Sequence, residues 1–206
     1  MKAEIIAGTH LPLMEDFYTI QGEGFNTGKA AYFLRLGGCD VGCHWCDVKE
    51  SWDADKHPLV SIEEMVQKVK NAGATRVVIT GGEPLMYNLE PLTQALKNAN
   101  IEVWLETSGA YSLSGTSDWI CVSPKKLKSV KPEVLREAHE LKVVVYNKHD
   151  FNWGNEHLQH VNPDCKLYFQ PEYSKFESVM PFIIDYVKEN PKWNISLQTH
   201  KFLNIP

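Results

Sequence analysis

The sequence lacks the long apolar run of a membrane span: nothing in its 206 residues approaches the ~20 consecutive apolar positions needed to cross a bilayer. It also lacks a basic excess. With 21 Lys and Arg against 26 Asp and Glu the net charge is -5 and the pI is near 5.9, which argues against a broad nucleic-acid surface. The first residues lack the charged-then-apolar order of a targeting peptide, so the cytoplasm is the expected compartment. Low-complexity tracts, internal repeats and linker-like composition shifts are absent, and residues 1–206 are expected to form one domain with a sizeable core. Cysteine is scarce, and its odd total of five argues against a disulfide framework.

Those few cysteines are not scattered. Cys39, Cys43 and Cys46 fall within eight residues, spaced C-x3-C-x2-C, directly after the apolar run 30–36. Gly37, Gly38 and Gly42 let the backbone fold close around one inorganic centre. Three thiolates holding a four-iron cluster leave one iron without a protein ligand, free to bind a small molecule. Two other readings compete at this point. A structural zinc site would take His44 as a fourth ligand, although that ring is wedged beside Cys43. A redox pair of Cys43 and Cys46 would leave Cys39 unexplained.

Apolar periodicity predicts strands at 31–36, 76–80, 102–106, 119–122, 141–146, 166–169 and 193–197. Helices are predicted at 61–72, 89–99 and 176–189, with a shorter one at 132–139. The first opens on Ser61-x-x-Glu64, a capping box, and closes at Gly73. Strands alternating with helices imply a parallel sheet. The chain is short for a complete eight-fold barrel of ~250 residues, and crossovers such as 109–118 are too short and polar for a helix. The expected fold is therefore α/β: an incomplete TIM-like β/α barrel with few helices. Six successive strands run out into polar or glycine-rich ends, and in a parallel sheet those ends share one face, where such folds build their sites.

Four stretches carry further chemistry. Thr80-Gly81-Gly82-Glu83-Pro84 follows a β-branched run; its paired glycines let backbone approach a ligand, or simply make a tight turn. Arg35 interrupts an apolar strand and must meet an anion, either an acidic side chain or a substrate carboxylate. In 17–24, Gly22 and Gly24 predict a turn that leaves Gln21 and Glu23 free to hydrogen-bond, an amide and a carboxylate suited to a pterin or guanine edge. The tail, 198–206, carries His200 and ends on Pro206; it either frays or tucks into the site. Cys121, Cys165, Trp104, Trp119 and Trp193 read as structural residues.

The triad with Trp45 before its last cysteine resembles the radical S-adenosylmethionine (SAM) superfamily. With Thr19 to Gly24, Arg35, Thr80 to Pro84, Ser123-Pro124-Lys125, Gln170-Pro171 and the tail, the chain from 17 to 206 resembles the 7-carboxy-7-deazaguanine synthase family. The resemblance implies a 4Fe-4S cluster on Cys39, Cys43 and Cys46. It implies SAM held by Trp45, Cys46, Asp47, Gly82, Glu83, Ser123, Pro124, Lys125, Gln170, Pro171, Glu172 and Tyr173. The substrate, 6-carboxy-5,6,7,8-tetrahydropterin, would be held by Ile20, Gln21, Gly22, Arg35, Thr80, His200 and the carboxylate of Pro206, with Glu23 and Glu106 beside it. It further implies a homodimer and an electron donor such as flavodoxin or ferredoxin, and neither a membrane nor a nucleic-acid partner. One position departs. The family commonly has Thr or Ser where this chain has Val48, and that hydroxyl helps bind Mg2+; valine offers no such oxygen. Either the cation uses water, a backbone carbonyl, Glu50 or Ser51 instead or the enzyme needs none, and weak or absent Mg2+ stimulation is expected. A glycyl-radical activase and a zinc-stabilised interaction module are the two competing functions.

Overall fold

The structure, a computed structural model, describes residues 3–206. After a short helix α1 (Ala3–Ile6) the chain enters a nine-stranded sheet. Its strands are β1 (His10–Ile20), β2 (Ala30–Leu36), β3 (Leu59–Ser61), β4 (Arg76–Gly81), β5 (Glu102–Thr107), β6 (Trp119–Val122), β7 (Glu140–Val145), β8 (Lys166–Pro171) and β9 (Trp193–Ile195). They lie in the order β3-β1-β2-β4-β5-β6-β7-β8-β9, curved but not closed. From β2 to β9 every neighbouring pair is parallel. At the other edge β1 runs antiparallel to both β2 and β3.

Two sequence expectations are corrected here. Residues 17–20, assigned to a turn, continue β1, and the chain turns only at Gln21. The reversal at Gln21 also makes this edge antiparallel, because so short a connection to β2 cannot hold a crossover. Of the first segment, 1–14, Met1 and Lys2 lie outside the described residues; the remainder supplies α1 and the start of β1.

Helices α2 (Ile62–Asn71), α3 (Glu90–Asn98), α4 (Pro132–Arg136), α5 (His149–Glu156) and α6 (Phe176–Glu189) precede a final short helix, α7 (Thr199–Leu203). Ser61 caps α2 by accepting from the Glu64 amide at 3.2 Å, and the helix ends at Gly73 in a left-handed turn, as its sequence predicts. Among the described residues no helix is long and apolar enough to cross a membrane.

Strand alternation divides the molecule. On the convex side Leu34, Leu36, Val77, Ile79, Val103, Leu105, Leu141 and Val143 are fully buried in one core with Leu92, Leu96 and Ile183 from the helices. The concave side starts with an apolar floor of Ala31, Val78 and Trp104, packed by Phe33 and Trp119. Phe25, itself exposed, stacks on Trp119 with ring centroids 4.6 Å apart. Above that floor the inward positions become polar: Arg35, Thr80, Glu106, Lys142 and Gln170. Apolar packing thus fixes the scaffold on one face and leaves the other for chemistry.

Candidate active site

The cysteine loop leaves β2 at the polar end of the sheet and is pinned by its backbone. Gly38 N donates to Ser51 O (2.6 Å), Cys39 N to Trp52 O (3.1 Å), and Glu83 N returns to Gly38 O (2.9 Å). The Gly81-Gly82 turn of β4 packs directly against this loop. A Cβ on Gly82 would run into Gly38 O and lie 2.7 Å from Cys39 Cβ, so the paired glycines are what let the two loops touch.

All three thiols face a cavity of about 300 Å³, within the range of small-molecule sites. Burial pushes the Cys39 and Cys43 thiols up, with the Lys125 ammonium pulling Cys43 the other way. His44 does not line the cavity; its ring sits edge-on to Tyr146, centroids 5.5 Å apart. Among the described residues no three His, Cys, Asp or Glu side chains converge as a single ion would need. Three soft donors on one glycine-loosened loop, without a fourth, fit an iron-sulfur cluster with an open iron better than tetrahedral zinc.

Every strand end that the sequence singles out contributes to the same cavity. Trp45, Asp47, Gly82, Ser123, Lys125, Gln170, Pro171, Glu172 and Tyr173 line it together with the thiols, and so do Ile20, Gln21, Gly22, Glu23, Arg35, Thr80, Glu106, His200 and Pro206. Lys125 Nζ donates to Ser123 O (2.7 Å) and Ser123 Oγ (2.6 Å) and lies over the Trp45 ring. Burial lowers the Lys125 ammonium.

Two residues assigned to SAM do not line the cavity. Glu83 is only 1% exposed. Its carboxylate accepts from Leu85 N (3.0 Å), Thr107 Oγ1 (2.5 Å), Ser108 N (2.8 Å) and Ser108 Oγ. The double-glycine turn presents backbone to the cavity and rolls Glu83 underneath, where it ties the end of β4 to the end of β5. Pro124 is likewise buried and outside the lining.

Arg35 meets an acidic side chain and also reaches the cavity. Its Nε donates to Glu15 Oε1 at 2.6 Å across the β1–β2 pair, yet the side chain, 20% exposed, still lines the cavity. A guanidinium has five N–H donors, so others remain for a ligand. The tail does not fray: Thr199 N and Oγ1 both donate to Gly22 O, at 2.9 and 3.0 Å, and seat His200 and Pro206 at the cavity wall. Burial lowers the His200 imidazolium, with Glu23 opposing. Val48 also lines the cavity, and its carbonyl accepts from both Ser51 N (3.1 Å) and Ser51 Oγ (2.7 Å).

Three comparisons bear on this arrangement. Residues 34–148 match the model of the radical SAM superfamily. The chain is 57% identical to the 7-carboxy-7-deazaguanine synthase of Flavobacterium psychrophilum, over 97% of this chain and 94% of that one. To the synthase of Synechocystis it is 44% identical, over 94% and 93%. The chain belongs to the 7-carboxy-7-deazaguanine synthase family. A crystal structure of QueE from Escherichia coli superposes with a TM-score of 0.84 at 31% identity, covering 94% of this chain and 96% of that one. As a radical SAM enzyme of this family, the chain uses a 4Fe-4S cluster and SAM, and its open nine-stranded sheet is the partial barrel that the sequence predicts.

Sequence reasoning missed some lining residues: Phe17, Phe33, Thr107, Gln198 and above all Lys142. Lys142 is 4% exposed and donates to Glu23 Oε2 (2.7 Å) and Glu106 Oε2 (3.0 Å). Its signal was present: a lone ammonium among Leu141, Val143, Val144 and Val145 raises the same question as Arg35 in its own strand.

Proposed function

We propose that this enzyme converts 6-carboxy-5,6,7,8-tetrahydropterin into 7-carboxy-7-deazaguanine with loss of one ammonia. The observation that carries the reading is the joining, in one small cavity, of a cysteine triad with a second set of groups suited to a carboxylated pterin. Substrate and product differ by NH3 alone, so the conversion is redox-neutral overall and needs an initiator rather than a net oxidant. Cys39, Cys43 and Cys46 would hold the cluster, which with SAM would supply that initiator, a carbon-centred radical able to abstract hydrogen, given an electron from an external donor such as flavodoxin or ferredoxin.

The chain's own residues bind and orient. Arg35, with donors left over from Glu15, holds the substrate carboxylate. Gln21, Thr80, His200 and the Pro206 carboxylate surround the ring, and Glu23 and Glu106 accept from its N–H groups. Ser123, Lys125, Gln170 and Tyr173, which line the same cavity, are assigned to SAM. Holding ring C6 within reach of the radical is the protein's principal contribution. The floor of Phe33, Val78 and Trp104 excludes water from below.

Mg2+ is given no role in this reading. Val48 carries no side-chain oxygen at the position where the family's hydroxyl assists the cation, and its carbonyl already accepts twice from Ser51.

The test is a turnover assay under anaerobic conditions. Reconstituted, reduced enzyme given SAM and the tetrahydropterin should form a product lighter than the substrate by one ammonia. SAM cleavage without consumption of the pterin would contradict the reading. A glycyl-radical activase requires an open groove for a peptide loop, whereas here α7 and Pro206 wall the cavity.

A further inference from the structure

We propose that Lys142 is a positioning residue of this reaction: by bridging Glu23 and Glu106 it fixes their two carboxylates as paired acceptors for the N–H edge of the bound pterin. The inference rests on the pterin reading above.

Lys142 sits on β7 with its side chain turned to the concave face, and a buried ammonium must be neutralised by partners. It has two. Each carboxylate oxygen then receives one donor: Lys142 Nζ on Glu23 Oε2 and Glu106 Oε2, Gln198 Nε2 on Glu23 Oε1 (2.8 Å), and Gln21 Nε2 on Glu106 Oε1 (3.2 Å). A carboxylate offers about four lone-pair sites; with Gln170 also beside Glu23 and Cys121 beside Glu106, about one on each remains, and both glutamates line the cavity. Two carboxylates on one ammonium leave the group with one net negative charge, which favours a donor-rich ring edge.

The remaining titratable groups around it are Cys121 on β6, Glu140 on β7 itself, Lys125 on the loop after β6 and His200 on α7. Burial alone would raise Glu23, but the charge and hydrogen bond of Lys142, with Gln198 and Gln170, bring it down to about 2. Burial would equally discharge Lys142, and Cys121 with Glu106, Glu23 and Glu140 more than reverse that. Without the ammonium, two carboxylates would face each other with no counter-charge. One would then take up a proton near neutral pH and become a donor where the ligand needs an acceptor.

The experiment compares Lys142→Met and Lys142→Arg with the unaltered enzyme, all cluster-loaded. For the Met variant the dissociation constant of 6-carboxytetrahydropterin should rise about 10- to 100-fold at pH 6.5 and largely recover by about pH 8.5. The Arg variant should stay within about fivefold with no new pH dependence. Iron content and SAM affinity should not change. Carbon-13 NMR of glutamate-labelled, ligand-free protein should show one more carboxyl titrating between about pH 5 and 8 in the Met variant than in the unaltered enzyme. If the Met variant does not fold, Lys142→Gln, a donor without charge, takes its place with the same expectation. Unchanged pterin affinity in a folded variant overturns the proposal. So does weakening that is equal at every pH without an extra titrating carboxyl, since that is loss of packing alone. If the unaltered enzyme itself does not bind the pterin, the functional reading fails first and this proposal falls with it.

Discussion

Substituting Gly22 by alanine should separate substrate binding from the cluster. Gly22 does not adopt the left-handed conformation, so alanine fits its backbone without strain. Its new Cβ, however, would overlap His200 Nδ1 and lie 2.8 Å from the His200 backbone N. What opposes that push is modest. The two Thr199 hydrogen bonds to Gly22 O and the Gln198 bond to Glu23 contribute about 1 kcal/mol each. The exposed Lys201–Asp47 pair at 3.4 Å adds at most a few tenths of a kcal/mol. Overpacking of this kind costs about 1–3 kcal/mol, comparable to the ~3 kcal/mol holding the tail, so α7 should be shifted or released. A misplacement of about 1 Å costs on the order of a hundredfold. The pterin KM should therefore rise about 10- to 100-fold, while iron content and SAM affinity stay at their original values. Steady-state kinetics at saturating SAM, with iron analysis on the same samples, reads both. A KM within about twofold of the original would refute the placement of the tail against the substrate.

Removing Pro206 alone should weaken pterin binding in the same direction while sparing the cluster, measured by ligand titration of reconstituted protein. Glu83→Gln should destabilise the fold by about 2–3 kcal/mol in urea unfolding, because four donors converge on a buried carboxylate that would lose its charge. Glu140, whose Oε1 has no partner among the described residues, is raised by burial to about 7. Its proton stabilises the fold fully below the ordinary carboxyl range, and that contribution is lost as pH climbs through about 7. Glu140→Gln should flatten the stability profile between about pH 5 and 8, a change of about 3 kcal/mol at most; a slope equal to that of the unaltered protein would count against a neutral Glu140. Chelator-treated enzyme should show little stimulation by Mg2+ in the turnover assay, and a strong requirement would overturn the argument from Val48.

The parts of the site most legible in the sequence were those fixed by local chemistry. Three thiolates for one cluster must sit close in sequence on a pliable loop, and the double-glycine turn must follow the strand that packs against it. Elements fixed by tertiary context were less visible. β1 carries Pro12, Glu15 and Asp16, which interrupt strand alternation, and its pairing comes from β2 and β3 rather than from its own pattern. α5 contains Gly154, unfavourable in a helix interior, but a Cβ there would lie 2.8 Å from the Phe169 ring. Glu83 was read by motif, whereas its destination depends on Thr107 and Ser108, donors about 25 residues downstream. Lys142 was hidden among valines, and only its partners on β5 and the loop after β1 reveal its role.

The central claim is that Cys39, Cys43 and Cys46 together leave one iron open to SAM inside the cavity that also holds the pterin. Electron paramagnetic resonance of the reduced, anaerobically reconstituted protein tests it most directly. The account predicts about four irons per chain and a cluster signal that changes on adding SAM, both lost when any one of the three cysteines is replaced by alanine. A reduced cluster whose spectrum is indifferent to SAM, or a protein that retains one zinc and no iron, would contradict it.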